Sequence, residues 1–154
     1  MKYFKFDLLD KESEWEKNGI EYSKLFDKIK PSLSEEFLEI YFAEQGFHDK
    51  AICKMVVIDI DTLAVELINS DGAFVKITYS GVKDFKLHNI NKVCKSRQIG
   101  ELLEWAYDEF SESGEMLTHS VLTSCGLEFE VSFKSIRAVY TDQELKAEGT
   151  ILYL

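Results

Sequence analysis

The sequence predicts an α+β fold, with N-terminal helices followed by two repeated antiparallel three-stranded β-meanders that form a sheet or a sandwich. Three observations point there. Apolar residues in the first third recur every three or four positions, the period of a helix face. From Asp49 onward they alternate, the period of a strand. The run Leu63-Ala64-Val65-Glu66-Leu67-Ile68-Asn69-Ser70-Asp71-Gly72 also returns, 54 residues later and without a gap, as Leu117-Thr118-His119-Ser120-Val121-Leu122-Thr123-Ser124-Cys125-Gly126. Further on, Val75, Ile77, Tyr79, Val82 and Phe85 fall on Phe129, Val131, Phe133, Ile136 and Val139, apolar on apolar. One β-module therefore occurs twice.

Tyr3 to Leu9 reads as a short strand or an extended arm. In the helix that follows, Tyr22, Leu25, Phe26 and Ile29 form one apolar face, with Trp15 a turn or two earlier. Gly19 weakens its middle and is a candidate break. Pro31 ends it, because the residue before a proline is pushed out of helical geometry. Ser32-Leu33-Ser34-Glu35 reads as a capping box that starts a second helix, with Ser32 as the cap. Leu33, Phe37, Ile40 and Tyr41 give that helix its buried face, and Gly46 suits its C-terminal end.

The first β-module covers residues 49–87. Ile52 to Ile58 is a strand, Asp59-Ile60-Asp61 turns it, and Thr62 to Ile68 returns. Asn69-Ser70-Asp71-Gly72 signals a hairpin before Phe74 to Tyr79. A short segment follows around Val82 and Phe85. The stretch from Gln98 to Phe110 fits a helix by its own spacing, yet the repeat aligns Trp105 to Phe110 with Ala51 to Val56 and favours a strand from about Leu103. The second module, 103–141, then repeats the pattern through Met116 to Thr123, Glu128 to Phe133 and Ile136 to Tyr140. Ile151 to Leu154 offers a terminal strand.

At 154 residues the chain fits a single domain spanning 1–154, with residues 1–48 as its helical part. A hydrophobic share of 45% and an aromatic share of 13% suffice for a core. No apolar run reaches the ~20 residues that span a bilayer, and the N-terminus lacks a secretory pattern. A cytoplasmic protein without membrane contact is expected. Cys53, Cys94 and Cys125 have no paired spacing and read as reduced structural thiols.

The net charge of −10 argues against nucleic-acid binding, which needs clustered Lys and Arg. Residues 101–154 hold 11 of the acidic side chains against 3 basic ones, so this third would attract a basic partner. Between Glu101 and Glu115 no basic residue occurs, and aromatics are interleaved with the acids. Glu104, Trp105, Tyr107, Asp108, Glu109 and Glu112 are the expected contact residues of an acidic, aromatic surface.

A second constellation is His48 with Asp49, at the junction of helix and strand, together with His119, which stands where the first module has Val65. These three could form the centre of a metal-dependent or acid/base hydrolase, or simply tie down a corner and a strand through hydrogen bonds. The basic connector, with Lys83, Lys86, Lys92, Lys95 and Arg97, balances the acidic third. No phosphate loop, GxSxG elbow, HExxH or dinucleotide fingerprint occurs, and no cofactor is expected.

Met1-Lys2-Tyr3-Phe4, the helix with Tyr22 and Leu25, the Phe47-His48-Asp49 junction and the paired hairpins resemble an uncharacterised bacterial domain-of-unknown-function family of low-GC Gram-positive organisms. That resemblance implies a small cytosolic bacterial protein and assigns no activity. In size and acidity the chain also resembles the immunity proteins that neutralise basic toxins. The leading expectation is thus a non-enzymatic interaction protein, immunity-like, with a basic protein as partner. The hydrolase is the first alternative, and a structural homodimer built on the repeated module is the second.

Overall fold

The computed structural model describes residues 1–5, 8, 11–68, 72–89, 103–141 and 150–152. Within them the chain runs helices first, strands after: α1 (Glu12–Ile29), α2 (Glu35–Ala43), β1 (Ala51–Asp59), β2 (Thr62–Ile68), β3 (Phe74–Ser80), β4 (Asp84–His88), β5 (Leu103–Ser113), β6 (Met116–Thr123), β7 (Glu128–Phe133), β8 (Ser135–Thr141) and β9 (Thr150–Leu152). The fold is α+β. Asn69, Ser70 and Asp71 of the expected hairpin, Cys94, the connector basics Lys92, Lys95 and Arg97, and residues 98–102 lie outside the described residues.

α1 runs unbroken through Gly19, because burial of Tyr22 and Ile29 outweighs the ~1 kcal/mol propensity cost of one glycine. Pro31 ends α1 by opening a 3₁₀ turn over Lys30–Ser32. That turn moves the next helix start two residues on, so the cap is Ser34 and not Ser32. Leu33 is extended, at φ −96° and ψ 149°, and places its side chain in the core. The Ser34 hydroxyl oxygen accepts the Phe37 N–H at 3.2 Å and donates to the Ile136 carbonyl at 3.1 Å, fastening α2 to β8.

Among the described residues every strand pairing is antiparallel, in the order β4-β7-β6-β5-β1-β2-β3-β8, with β9 added on β1. β2 and β6 start at Thr62 and Met116, β3 and β7 at Phe74 and Glu128, each pair 54 residues apart. β5 is a strand from Leu103 on, as the repeat favours over its local helical spacing. The central joint is brief: β1 meets β5 only at Ala51↔Glu104 and Ile52↔Leu103. Beyond it β1 turns to β9, while β5 keeps β6 on one side only.

The two halves lie face to face over a shared core. Tyr79 of β3 reaches Phe133 of β7 with ring centroids 5.2 Å apart, and its hydroxyl reaches His119 of β6. Each half ends in a strand that crosses to the other, β4 to β7 and β8 to β3. The crossing needs backbones in contact. At Gly81, where φ is +66°, a Cβ would stand 2.9 Å from the Lys134 side chain, so only glycine fits. The Lys134 N–H donates to the Ser80 carbonyl at 3.0 Å, and the Lys83 N–H to the Ser132 carbonyl at 2.8 Å.

The assignment of the cap is testable by denaturant unfolding. Ser34→Ala should lower stability by about 1 kcal/mol, whereas Ser32→Ala should stay within about 0.5 kcal/mol of the parent. Equal losses would show that Ser34 is not the cap that matters.

Candidate functional site

β5 supplies the chemistry. A bulge at Ala106, between the pairs Trp105↔Thr123 and Tyr107↔Leu122, resets the alternation of the strand. Past it, Asp108 and Phe110 turn toward His119 and α2, and Tyr107 and Glu109 turn toward α1 and the N-terminal arm.

On the first face a buried polar chain crosses the core. The Tyr41 hydroxyl donates to the Asp108 carboxylate, 3.0 and 3.1 Å from its two oxygens, and His119 Nε2 lies 2.8 Å from Oδ2. Tyr79 Oη lies 2.9 Å from His119 Nδ1. With Asp108 ionised, one proton assignment serves every atom: Nε2–H donates to Asp108 and Tyr79 O–H donates to Nδ1. The imidazole is sealed, stacked 3.9 Å from the Phe110 ring and close to Trp105 and Tyr79. Burial, with the Asp108 charge as the next cause, raises the Tyr41 and Tyr79 phenols well above their ordinary value and raises Tyr22 likewise. Tyr22 adds a bond of its own, its oxygen accepting the Phe110 N–H at 2.7 Å on the open edge of β5.

On the opposite face Glu109 clamps the arm. Its carboxylate accepts three successive backbone N–H groups, from Lys2 at 2.8 Å, Tyr3 at 2.5 Å and Phe4 at 2.6 Å. The Met1 amino group pairs with Glu128. Phe4 is thereby set against Tyr107, with centroids 5.6 Å apart and rings nearly parallel, and against Trp15 and Tyr22.

Between the arm, the helices and β5 lies a cleft of about 330 Å³. Phe4, Tyr22, Tyr41 and Tyr107 give it aromatic walls; Asp108, Gln45, Gly46 and His48 supply polar groups. The loop at its rim is strained, with φ of +52° at Gln45, +62° at Phe47 and +60° at Asp49. Full burial of Phe47 against Phe37, Tyr41 and Trp105 holds the strain in place. Gly46, at φ +68°, suits the left-handed backbone, and the space is tight: a Cβ would sit 3.3 Å from the Tyr41 hydroxyl and 3.7 Å from Asp108 Oδ1.

Of the residues expected on an acidic, aromatic surface, only Glu104 and Glu112 are exposed. Trp105 is wholly buried, and Asp108 and Glu109 keep 7% and 6% exposure. The expected continuous surface is therefore not formed. Strand alternation sends neighbouring acids to opposite faces, and helices or the arm cover both. Tyr107 and Asp108 meet again as cleft lining. Of the histidine constellation, His48 lines the cleft with Nδ1 3.0 Å from Asp49 Oδ1, and Asp49 is largely exposed. His119 lies behind Asp108, inaccessible to a ligand, so the three do not form one open centre. Among the described residues no cluster of His, Cys, Asp and Glu is placed to hold a metal, and no helix is long and apolar enough to cross a membrane.

Tyr22, Tyr41 and Tyr79 are site residues that sequence reading treated as apolar core. Their signal was the hydroxyl itself, since a buried tyrosine needs a partner for its polar end. The substitution of His119 for Val65 in the echo was the clearest pointer to the buried chain.

No family model matches this sequence, and no curated protein matches it. Among solved structures, the crystal structure of an uncharacterized protein from Neisseria gonorrhoeae aligns with 60% of this chain and 91% of its own, at 16% identity and a TM-score of 0.45. A likeness of that degree carries no argument about function.

Two measurements probe this site. Because the folded state raises the three buried phenols above the unfolded value of about 10, their contribution is complete below that pH and is lost as pH rises past it. Phenolate absorbance should show these tyrosines, out of 7 in the chain, ionising only as the fold is lost. Free titration of all tyrosines in folded protein would contradict the buried chain. Separately, Glu109→Ala should cost about 2 kcal/mol and raise acrylamide quenching of Trp15, whose ring packs on Phe4 and Tyr107. Unchanged quenching would show that the arm docks without Glu109.

Proposed function

We propose that this is a non-enzymatic binding protein, immunity-like in manner, that captures a basic partner by taking one of its cationic side chains into the cleft beside Asp108. The observation that carries this reading is a carboxylate more than nine-tenths buried, lining an aromatic cleft, and paired with no Lys or Arg among the described residues. A buried charge is retained where something of opposite charge meets it or where donors satisfy it. Tyr41 and His119 satisfy part of the carboxylate and leave acceptor capacity beside Gly46.

Several features support a cation over other ligands. Aromatic faces attract cations through their ring quadrupoles. The net charge of −10 steers a basic molecule toward the surface, and exposed Glu104 and Glu112 on β5 extend that field. The walls are held by the core and by the clamped arm, so little ordering cost remains for binding.

The test is calorimetric titration of the full chain with a short basic peptide, an acidic peptide of equal length and a neutral one, in the parent and in Asp108→Asn. Asparagine keeps the shape and can still accept from Tyr41. The basic peptide alone should bind, at least ~10-fold more weakly in the variant. Binding that ignores Asp108→Asn, or no binding of the basic peptide at low salt, would remove the proposal.

A further inference from the structure

Resting on that reading of a cationic occupant, we infer that the cleft selects a primary ammonium group, the end of a lysine side chain, over a guanidinium. The argument lies in how the two oxygens of Asp108 are already used. Oδ2 takes His119 Nε2 at 2.8 Å and, with Oδ1, a share of the single Tyr41 proton at 3.0 Å. Oδ1 sees only the shared Tyr41 proton, at 3.1 Å, and lies on the side of Gly46, where a Cβ would stand 3.7 Å away. Oδ1, beside the cleft-lining Gly46, is therefore the oxygen with more acceptor capacity to spare.

A guanidinium draws its advantage from two parallel N–H bonds to both carboxylate oxygens. Here Oδ2 already holds the His119 bond and a share of the Tyr41 proton, both groups anchored in the core, so the second arm of a fork would have to compete with them. An ammonium needs no fork. It presents three donors in a tetrahedral spread around a point charge. One donor meets Oδ1. The Tyr41 oxygen, whose proton is committed to Asp108, has a lone pair left for another. Tyr22 lines the same cleft, and its oxygen, which accepts the Phe110 N–H at 2.7 Å, has a second lone pair for the third. The four-carbon stem of a lysine would lie along Phe4 and Tyr107, apolar surface that suits methylenes. A quaternary ammonium has no N–H group to give Oδ1 and would leave it with its share of the Tyr41 proton alone.

The experiment compares three capped tripeptides on the full chain by calorimetry: acetyl-Ala-Lys-Ala-amide, its arginine counterpart and its trimethyllysine counterpart, with butylamine and butylguanidine as free cations. The lysine peptide should bind ~10-fold or more tightly than either counterpart, one lost charge-assisted bond being of that size. Butylamine should exceed butylguanidine in the same sense. The ranking is read on the parent protein, so it stands even if Asp108→Asn fails to fold. An arginine peptide binding as tightly as the lysine one, or more so, overturns the ammonium selection and leaves the cationic reading intact. If neither the peptides nor the free cations bind, both fall. Butylamine binding with the lysine peptide excluded supports ammonium selection with a small free amine as its source, and binding of the lysine peptide at least as tightly supports a protein side chain.

Discussion

The arrangement of this protein depends on one buried carboxylate. Asp108 sits on β5, yet its donors come from α2 and β6, and through His119 the chain of bonds extends to β3. Four elements, α2, β3 and the hairpin strands β5 and β6, are thus held to one atom group. A buried carboxylate is costly unless its lone pairs are met, so removing any donor exposes the rest of the chain to that cost. The network also specifies geometry: apolar contacts would tolerate sliding of α2 across β5, whereas a hydroxyl shared between two oxygens does not.

Around that point the sheet solves a closure problem. β1 and β5 touch at two residue pairs and then separate, which leaves the β5 edge open just where the polar chain begins. The edge is answered piecemeal. The Asp49 N–H donates to the Trp105 carbonyl, the Trp105 N–H donates to the Lys50 carbonyl, and the Tyr22 hydroxyl takes the Phe110 N–H. At the far side the exchanged strands β4 and β8 tie the halves together through the close crossing at Gly81 and Lys134. Two halves joined weakly at the centre and firmly at the ends leave a wedge, and the helices fill it.

The cleft is the unfilled remainder of that wedge. Its rim carries three non-glycine residues at positive φ, each costing on the order of 1–3 kcal/mol. Phe47 offsets part of the strain by full burial. Its floor and far wall depend on two acids side by side in sequence that do opposite things: Asp108 faces the core and keeps acceptor capacity, while Glu109 spends its own on three amides of the arm. A cleft made this way is rigid, because each of its walls is fixed by bonds within the fold.

Local patterns along the chain were enough to place the elements. Periods of 3.6 and 2 placed α1, α2 and the strands, since these periods follow from local backbone geometry and from which face meets the core. The internal echo resolved β5 against its own helical spacing, because a strand's partners weigh more than a short window of periodicity. The site came from folding. Strand alternation, shifted by the bulge at Ala106, sorted Asp108 from Glu109, and no local pattern announces a bulge. The hydroxyls of Tyr22, Tyr41 and Tyr79 lay inside apolar stripes and read as core until their partners were in view. Charge counted along the chain suggested an acidic surface; charge placed in space became one buried acceptor and one clamp. The reason is that a carboxylate's role is set by the donors around it, and those come from residues that folding, not sequence order, brings near.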